Sequence, residues 1–394
     1  MKLSHIELEM IIDGAALFGS GGGGSRDNAN VFLEDIRKRK AEIELVTDID
    51  EANPEALSCV ICDIGANGEF DPRQIHALEN AFERLEKNFA LTDQIKYVFP
   101  IESGPENTMA PIVLASRKNL KVVDCDGGGR AVPKLSLTLF SFENEQLRPA
   151  VMSNGLSDSV VTSKEVEDLE KMLRNIVQFK AFNSSASLAL WPEKATNLVR
   201  KGFNGPIMRS YYCGMMLKGI RENDQKLMDE ALPHLNKICA YFIEKGIVID
   251  KDQKDDKGFD RIETTLYNSE KDMILTIYSQ NENLIVYNNR QHRPMAIAPD
   301  SICYLDTEFH ALTNARVSDP MDHRGSTGNR FQCMEGKKKL QELFLIGIKA
   351  PPILVKNKRL MEEFNKVLIE SNIHEPYETP EKGIPLGDLL LSLK

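Results

Sequence analysis

The chain of 394 residues is poor in aromatic residues, at 7%, and has a single tryptophan, Trp191. Its core is therefore expected to be mainly aliphatic. It has no surplus of positive charge: 49 Lys and Arg stand against 59 Asp and Glu, a formal net charge of −10. No general positive field exists to draw in a phosphate backbone, which argues against a nucleic-acid partner. No apolar run approaches the ~18–20 residues that cross a bilayer, so no membrane partner is expected. The first residues, Met1 to Glu9, carry acids where a signal peptide needs a continuous apolar stretch. Cysteine is scarce and odd in number, with seven scattered through apolar segments. Reduced thiols fit better than a disulfide framework, and a cytoplasmic location is expected.

Several catalytic signatures are missing as well. There is no G-x-S-x-G elbow. The seven histidines form no H-x-x-x-H or H-x-H pair. Cys59 and Cys62 have redox-motif spacing, but they lie in an apolar run where a strand points them to opposite faces. No second C-x-x-C follows, so core packing is the better reading of both.

What is present begins with a capped helix. Ser4 and Glu7 have capping-box spacing, Leu3 and Leu8 occupy the staple positions, and Leu8, Ile11, Ile12, Ala15 and Ala16 recur at helical spacing. Then comes Gly19-Ser20-Gly21-Gly22-Gly23-Gly24-Ser25, with a second helical stretch from about Ala29 to Lys40. Such a loop can aim N–H groups at an anion or let another group approach the backbone closely. A flexible connector is the competing reading. The run follows a helix and has the spacing of neither G-x-G-x-x-G nor the P-loop, so no nucleotide fingerprint is supported.

From about 43 to 142 strand-like runs alternate with helical patterns. The strands are Ile43–Val46, Ser58–Ile64, Tyr97–Ile101, Leu120–Cys125 and Leu135–Phe142; the helices are Pro72–Phe89 and Asn107–Lys118. The alternation predicts a three-layer α/β domain, about 1–160, with a largely parallel sheet. Ligands of such sheets bind beyond the C-terminal strand ends. Three polar, glycine-bearing segments follow strands there: Gly65–Glu69, Glu102–Asn107 and Asp126–Arg130. In the third, Asp124 and Asp126 share a face if the strand continues, and they bind a cation, act as acid and base, or orient Arg130. A tight turn closed by an Asp–Arg ion pair is the plainer alternative. Cys125, between two carboxylates, is a poor thiolate.

Beyond about 160 helices dominate from Ser163 to Lys245, with a Thr162/Glu165 capping box before Val166–Phe179. Lys251–Lys257 reads as a charged loop. Closely spaced strands at Arg261–Tyr267, Met273–Tyr278, Leu284–Tyr287 and Ile302–Leu305 predict a β-rich, barrel-like second domain with helices, 161–394. Gln280-Asn281-Glu282-Asn283 and Pro299-Asp300 sit at its turns. The chain ends in a helical pattern, Arg359–Ile369.

Taken together, these segments resemble one family. Leu17-Phe18-Gly19-Ser20-Gly21-Gly22-Gly23-Gly24, Glu102-Ser103-Gly104-Pro105-Glu106-Asn107, Val123–Pro133, Gln280–Leu284 and Ala298-Pro299-Asp300 are similar, in order, to motifs of the S-methyl thiohydantoin desulfurase family. Ser103 and Cys125 depart from the family pattern, and the stretch after about Leu312, including Asp322-His323-Arg324, does not match its ending. The resemblance implies an α/β domain joined to a β-rich domain. It also implies hydrolysis of an S-methylated thiohydantoin to a hydantoin with release of methanethiol.

That chemistry needs an activated water and stabilised charge. Asp124, Asp126, Glu102 and Glu282 are candidate bases, and Arg130 is a candidate stabiliser of anionic charge. Ser20, Gly21, Gly22, Gly23, Gly24, Asn107, Gly128, Gly129, Asn281 and Asp300 are candidate substrate-binding residues. A divalent metal ion held by carboxylates or distant histidines is an alternative activator of the water. The partner expected is a small-molecule substrate. A homo-oligomer, or a non-catalytic role beside a hydantoinase-like or oxoprolinase-like enzyme, is the rival assembly.

Overall fold

The structure, a computed structural model, describes residues 1–50, 53, 55–65, 73–88, 93–141, 148–182, 184–256, 258–318, 340–378, 380 and 383–394. Two expected features, Ala66–Glu69 and Asp322-His323-Arg324, lie outside these residues, as do Pro72, Phe89 and Phe142.

The first helix, His5–Phe18, is capped as expected: Ser4 accepts from Ile6 N, and Glu7 reaches back to Ser4 N. Gly14 belongs to a crossing rather than a weak spot. A Cβ there would lie 1.9 Å from Ser210 O, and one on Gly214 would lie 1.8 Å from Met10 O. The two glycines let this helix and Pro206–Glu222 touch backbone to backbone.

The first sheet has eight strands. Ile43–Val46, Lys121–Val123, Ile95–Pro100 and Leu57–Gly65 form a parallel centre in that spatial order. Antiparallel strands flank it: Lys2–Leu3 on one side, and Ser185–Lys194, Arg148–Ser153 and Asp158–Ser163 on the other. The sheet is thus mixed around a parallel core. Alternation along Leu57–Gly65 sends Cys59 and Ile61 into the layer of the first four helices, and Val60 and Cys62 into the opposite layer. That is the three-layer arrangement expected. The described cysteines are Cys59, Cys62, Cys125, Cys213, Cys239 and Cys303, and all are free thiols.

The second sheet is antiparallel. Its spatial order is Arg293–Ile297, Glu282–Asn288, Met273–Gln280, Phe259–Asn268, Cys239–Asp256, Glu342–Ile348, Ser301–Asp306 and Ala311–Leu312, with Ile384–Pro385 paired on Cys239–Asp256. It curls back on itself: Asn283 Nδ2 donates to Ile302 O at 2.8 Å, and Tyr304 Oη lies 3.3 Å from Asn283 Oδ1. The strand Glu342–Ile348 sits between Cys239–Asp256 and Ser301–Asp306. The unmatched end of the chain therefore completes this sheet.

Four expectations are corrected. Leu135–Phe142 is no strand; Leu135–Leu137 and Leu139–Ser141 are single 3-10 turns. Thr138 and Ser141 hydroxyls donate to Leu135 O and Thr138 O, a local alternative to a ladder. The charge run from Lys251 is strand as far as Asp256, because a hairpin ladder to Phe259–Asn268 satisfies its backbone while its side chains meet solvent. The helical stretch expected over Ser163–Lys245 is interrupted by the strand Ser185–Lys194, which joins the first sheet. Thr162 lies in a strand, and Val166–Val177 starts after Glu165 without a side-chain cap.

Candidate functional site

A cavity of about 280 Å³ opens where the parallel strand ends meet the second domain. Ile64 and Gly65 line it from one strand end, and Ile101 and Glu102 from the next. The strand-end position is the one expected for a parallel sheet. Asn107, near the start of helix Pro105–Lys118, also faces it.

Asn107 is a strut. Its Nδ2 donates to Glu102 Oε1 at 2.7 Å, and its Oδ1 accepts from Asp63 N at 3.0 Å. Val132 N donates to the other oxygen of Glu102 at 2.7 Å. Glu106 accepts from Ser25 N, from Asn28 Nδ2 and from Gln74 Nε2.

The glycine run is a three-way junction between the domains. Ser20 O accepts from Asn283 N at 2.7 Å, Gly21 O from Asn314 N at 2.6 Å, and Gly23 O from Glu106 N and Asn107 N at 3.2 Å. Two positions demand glycine. A Cβ on Gly22 would meet Glu282 Oε1 at 2.1 Å, and Gly23, with φ of +73°, would press a Cβ onto Gly104 Cα at 2.4 Å. The anions that the run receives belong to the protein itself. Gly23 N donates to Glu282 Oε1 at 3.2 Å, and Ser25 N donates to Glu106 Oε2 at 2.7 Å.

Glu282 reaches the cavity from the second domain. Asn281, at φ of +59°, makes the hairpin turn between Met273–Gln280 and Glu282–Asn288. It is pinned by its N–H to Asp260 O and by its Oδ1 from Asp260 N. Glu282 is 2% exposed, and among the described residues its Oε2 has no hydrogen-bond partner. Burial pushes its carboxyl up to about 7, against the opposing pull of the Arg130 charge and of Gly23 N–H. Burial also raises Glu102 well above the usual carboxylate range, and the charge of Glu282 adds to this. Two interacting carboxyls on one wall titrate as a pair.

Of the sequence-predicted residues, Glu102, Glu282, Gly22, Gly23, Gly24, Asn107 and Asn281 line the cavity together. Asp124, Asp126, Arg130, Ser20, Gly21, Gly128, Gly129 and Asp300 lie off its wall. The strand breaks at Asp124, so the two aspartates do not act from one face. Asp124 Oδ1 accepts from Ile207 N at 2.7 Å, at the N-terminus of Pro206–Glu222, a stabilising place for a carboxylate. Asp126 accepts from Ser103 Oγ, Gly128 N and Gly129 N. Burial still raises these acids, to about 7 and about 6. Arg130 pairs with neither. Fully buried, it donates to Ala131 O, Pro299 O and Asp300 O, and so clamps the second domain. Ser20 Oγ donates to Ile302 O and accepts from Ile302 N. Asp300 accepts from Tyr241 Oη, Tyr377 Oη and Ala350 N, which anchors the C-terminal segment.

Sequence reasoning missed other wall residues: Asp63, Gln74, Glu170, Arg174 and the stretch Ser184–Leu188. Asp63 carried a signal, being a carboxylate inside an otherwise apolar strand. Arg174 is held by Glu170, Gly258 O and Pro133 O and lies over the Phe259 ring at 3.6 Å.

Among the described residues no group of three or more His, Cys, Asp or Glu is arranged to hold a metal ion. Both oxygens of Glu102 accept protein N–H groups, and no described histidine lines this wall. Nor is any described helix long and apolar enough to cross a membrane.

Fold and site together define a two-domain protein, α/β then antiparallel β, with an acid-lined cavity at the domain junction. Residues 6–164 match the N-terminal domain model of the S-Me-THD-like family, and residues 163–319 match its C-terminal domain model. The chain belongs to that family. It is also similar in fold to a crystal structure of a protein from Chromobacterium violaceum, with 23% identity and a TM-score of 0.75, over 96% of this chain and 99% of that one. Comparison with curated proteins gives no match.

Proposed function

We propose that this protein hydrolyses an S-methylated thiohydantoin to the hydantoin and methanethiol. Family membership supports the substrate class. The observation that carries the reading is Glu282 Oε2, buried on the cavity wall without a partner. In this reading ionised Glu282 takes a proton from water as the water oxygen bonds to the ring carbon bearing the S-methyl group. The C=N electron pair moves onto the ring nitrogen, which takes a proton. The C–S bond then breaks, its electron pair leaves with sulfur, and the carbon becomes a carbonyl. Of the two water protons, one ends on the ring nitrogen and the other on methanethiol. The carboxyl pair Glu282 and Glu102 relays them.

The direct test incubates purified protein with an S-methyl thiohydantoin near neutral pH and follows thiol release and hydantoin formation. Repeated turnover is expected. No turnover, with or without added divalent metal ions, would overturn the reading in favour of a non-catalytic ligand-binding role beside a hydantoinase-like partner.

A further inference from the structure

Asp63 lies near the end of the strand Leu57–Gly65 on the cavity wall, and the proposed reaction leaves it without a task. Two neighbouring elements fix it in place. Its N–H donates to Asn107 Oδ1, the same side chain that holds Glu102. Ser187 Oγ, from the adjacent antiparallel strand, donates to Asp63 Oδ1 at 2.6 Å. Among the described residues its buried Oδ2 has no partner at hydrogen-bond geometry, and the Gln74 amide lies beside the carboxyl. Buried polar atoms are nearly always paired, so an unpaired one on a cavity wall asks for a ligand. Glu282 Oε2 is a second such atom on the same wall.

We propose that Asp63 positions the substrate: its Oδ2 hydrogen-bonds a polar atom of the five-membered ring and holds the ring against Glu282. The inference rests on the reading of the site as a thiohydantoin hydrolase and adds a residue to it.

The surroundings decide which partner donates. Glu106, on helix Pro105–Lys118, is raised by burial, and the donors Ser25 N, Gln74 Nε2 and Asn28 Nδ2 offset part of that rise by favouring its ionised form. Glu106 is the charged group acting on Asp63, Ser187 and Gln74 are the polar ones, and no Lys or Arg is among them. Burial first, and the Glu106 charge second, push Asp63 up to about 8. Asp63 therefore keeps its proton at neutral pH. Since Oδ1 accepts from Ser187, the proton sits on Oδ2. The ring must then present an acceptor to Asp63, a carbonyl oxygen or an imine-type nitrogen, while Glu282 takes the proton of the water.

The test compares the wild type with Asp63→Asn and Asp63→Ala on an S-methyl thiohydantoin across pH, with thermal melts to confirm folding. An amide keeps an N–H donor that does not titrate. Asp63→Asn should keep kcat/KM within about threefold of wild type and lose the decline on the alkaline side, since no proton remains to be lost. Asp63→Ala should lose about 10–100-fold in kcat/KM, largely through KM. An Ala variant with wild-type KM, or an Asn variant that keeps the alkaline decline, would overturn the inference. If the Ala variant fails to fold, the Asn profile alone decides. If the wild type itself shows no turnover, the hydrolase reading fails first; calorimetric binding of the same thiohydantoin to wild type and Asp63→Ala then decides, and equal affinity overturns the positioning role.

Discussion

The glycine run from Gly19 to Gly24 and the segment Asp124–Arg130 look alike on paper, each a string of glycines with acidic residues near it in sequence or space. The fold uses them in opposite ways. At Asp124–Arg130 the local N–H groups are numerous enough to satisfy the acids: Gly128, Gly129, Ile207 and Met208 take Asp126 and Asp124 as acceptors. At the glycine run the bare backbone admits Glu282 from the other domain, gives it one N–H, and leaves its second oxygen buried without a hydrogen-bond partner among the described residues. A carboxylate near glycines is thus fully satisfied or left with an unpaired oxygen according to how many donors reach it. Proximity in sequence does not report that number.

The contrast can be broken most severely at Glu282. Glu282→Gln keeps the shape and the Gly23 contact but removes the base, so kcat should fall about 10²–10⁴-fold in the thiol-release assay, with the melting temperature unchanged or raised. Gly22→Ala attacks the same wall through space. Its Cβ would lie 2.1 Å from Glu282 Oε1, and a small displacement of the base should cost about 10²-fold in rate while circular dichroism stays native. On the other side, Asp126→Asn should act on stability instead. Its two glycine amides face a weaker, uncharged acceptor, with a loss of about 1–3 kcal/mol in denaturant melts and activity per folded molecule nearly kept. The same carboxyls also set a pH dependence of stability. Burial raises Asp126, Asp124, Glu282 and Asp63, to about 6, 7, 7 and 8, above their unfolded values. Folding then favours their protonated forms, so stability is fullest below about pH 4 and is lost as pH climbs through 6 to 8. Melting temperature should fall over that range, and less steeply in Asp63→Asn.

The α/β order, the first helix with its Ser4 cap, and the strands from Ile43 to Val123 were legible because periodicity and caps are local. The turns at Leu135–Ser141 were not, since Thr138 and Ser141 divert the backbone with hydroxyl bonds that an apolar pattern hides. Strand Ser185–Lys194 was missed because one of its two partners, Leu57–Gly65, lies more than a hundred residues earlier. At the site, Glu102, Asn107 and Glu282 were readable as polar loop residues. The tasks of Asp124, Asp126 and Arg130 were not, because their partners, Ile207 N, Ser103 Oγ and Pro299 O, are set by tertiary contacts. Asp63 was overlooked because the strand pattern claimed it for the core.

The central claim is that the reactive carboxyl is Glu282, on the cavity wall, and not the aspartates of the other glycine segment. Methanethiol release from an S-methyl thiohydantoin, measured side by side for wild type, Glu282→Gln and Asp126→Asn at equal folded fraction, tests it most directly. The account predicts turnover by wild type and Asp126→Asn, and loss of it in Glu282→Gln. Turnover retained by Glu282→Gln and lost by a folded Asp126→Asn would contradict it.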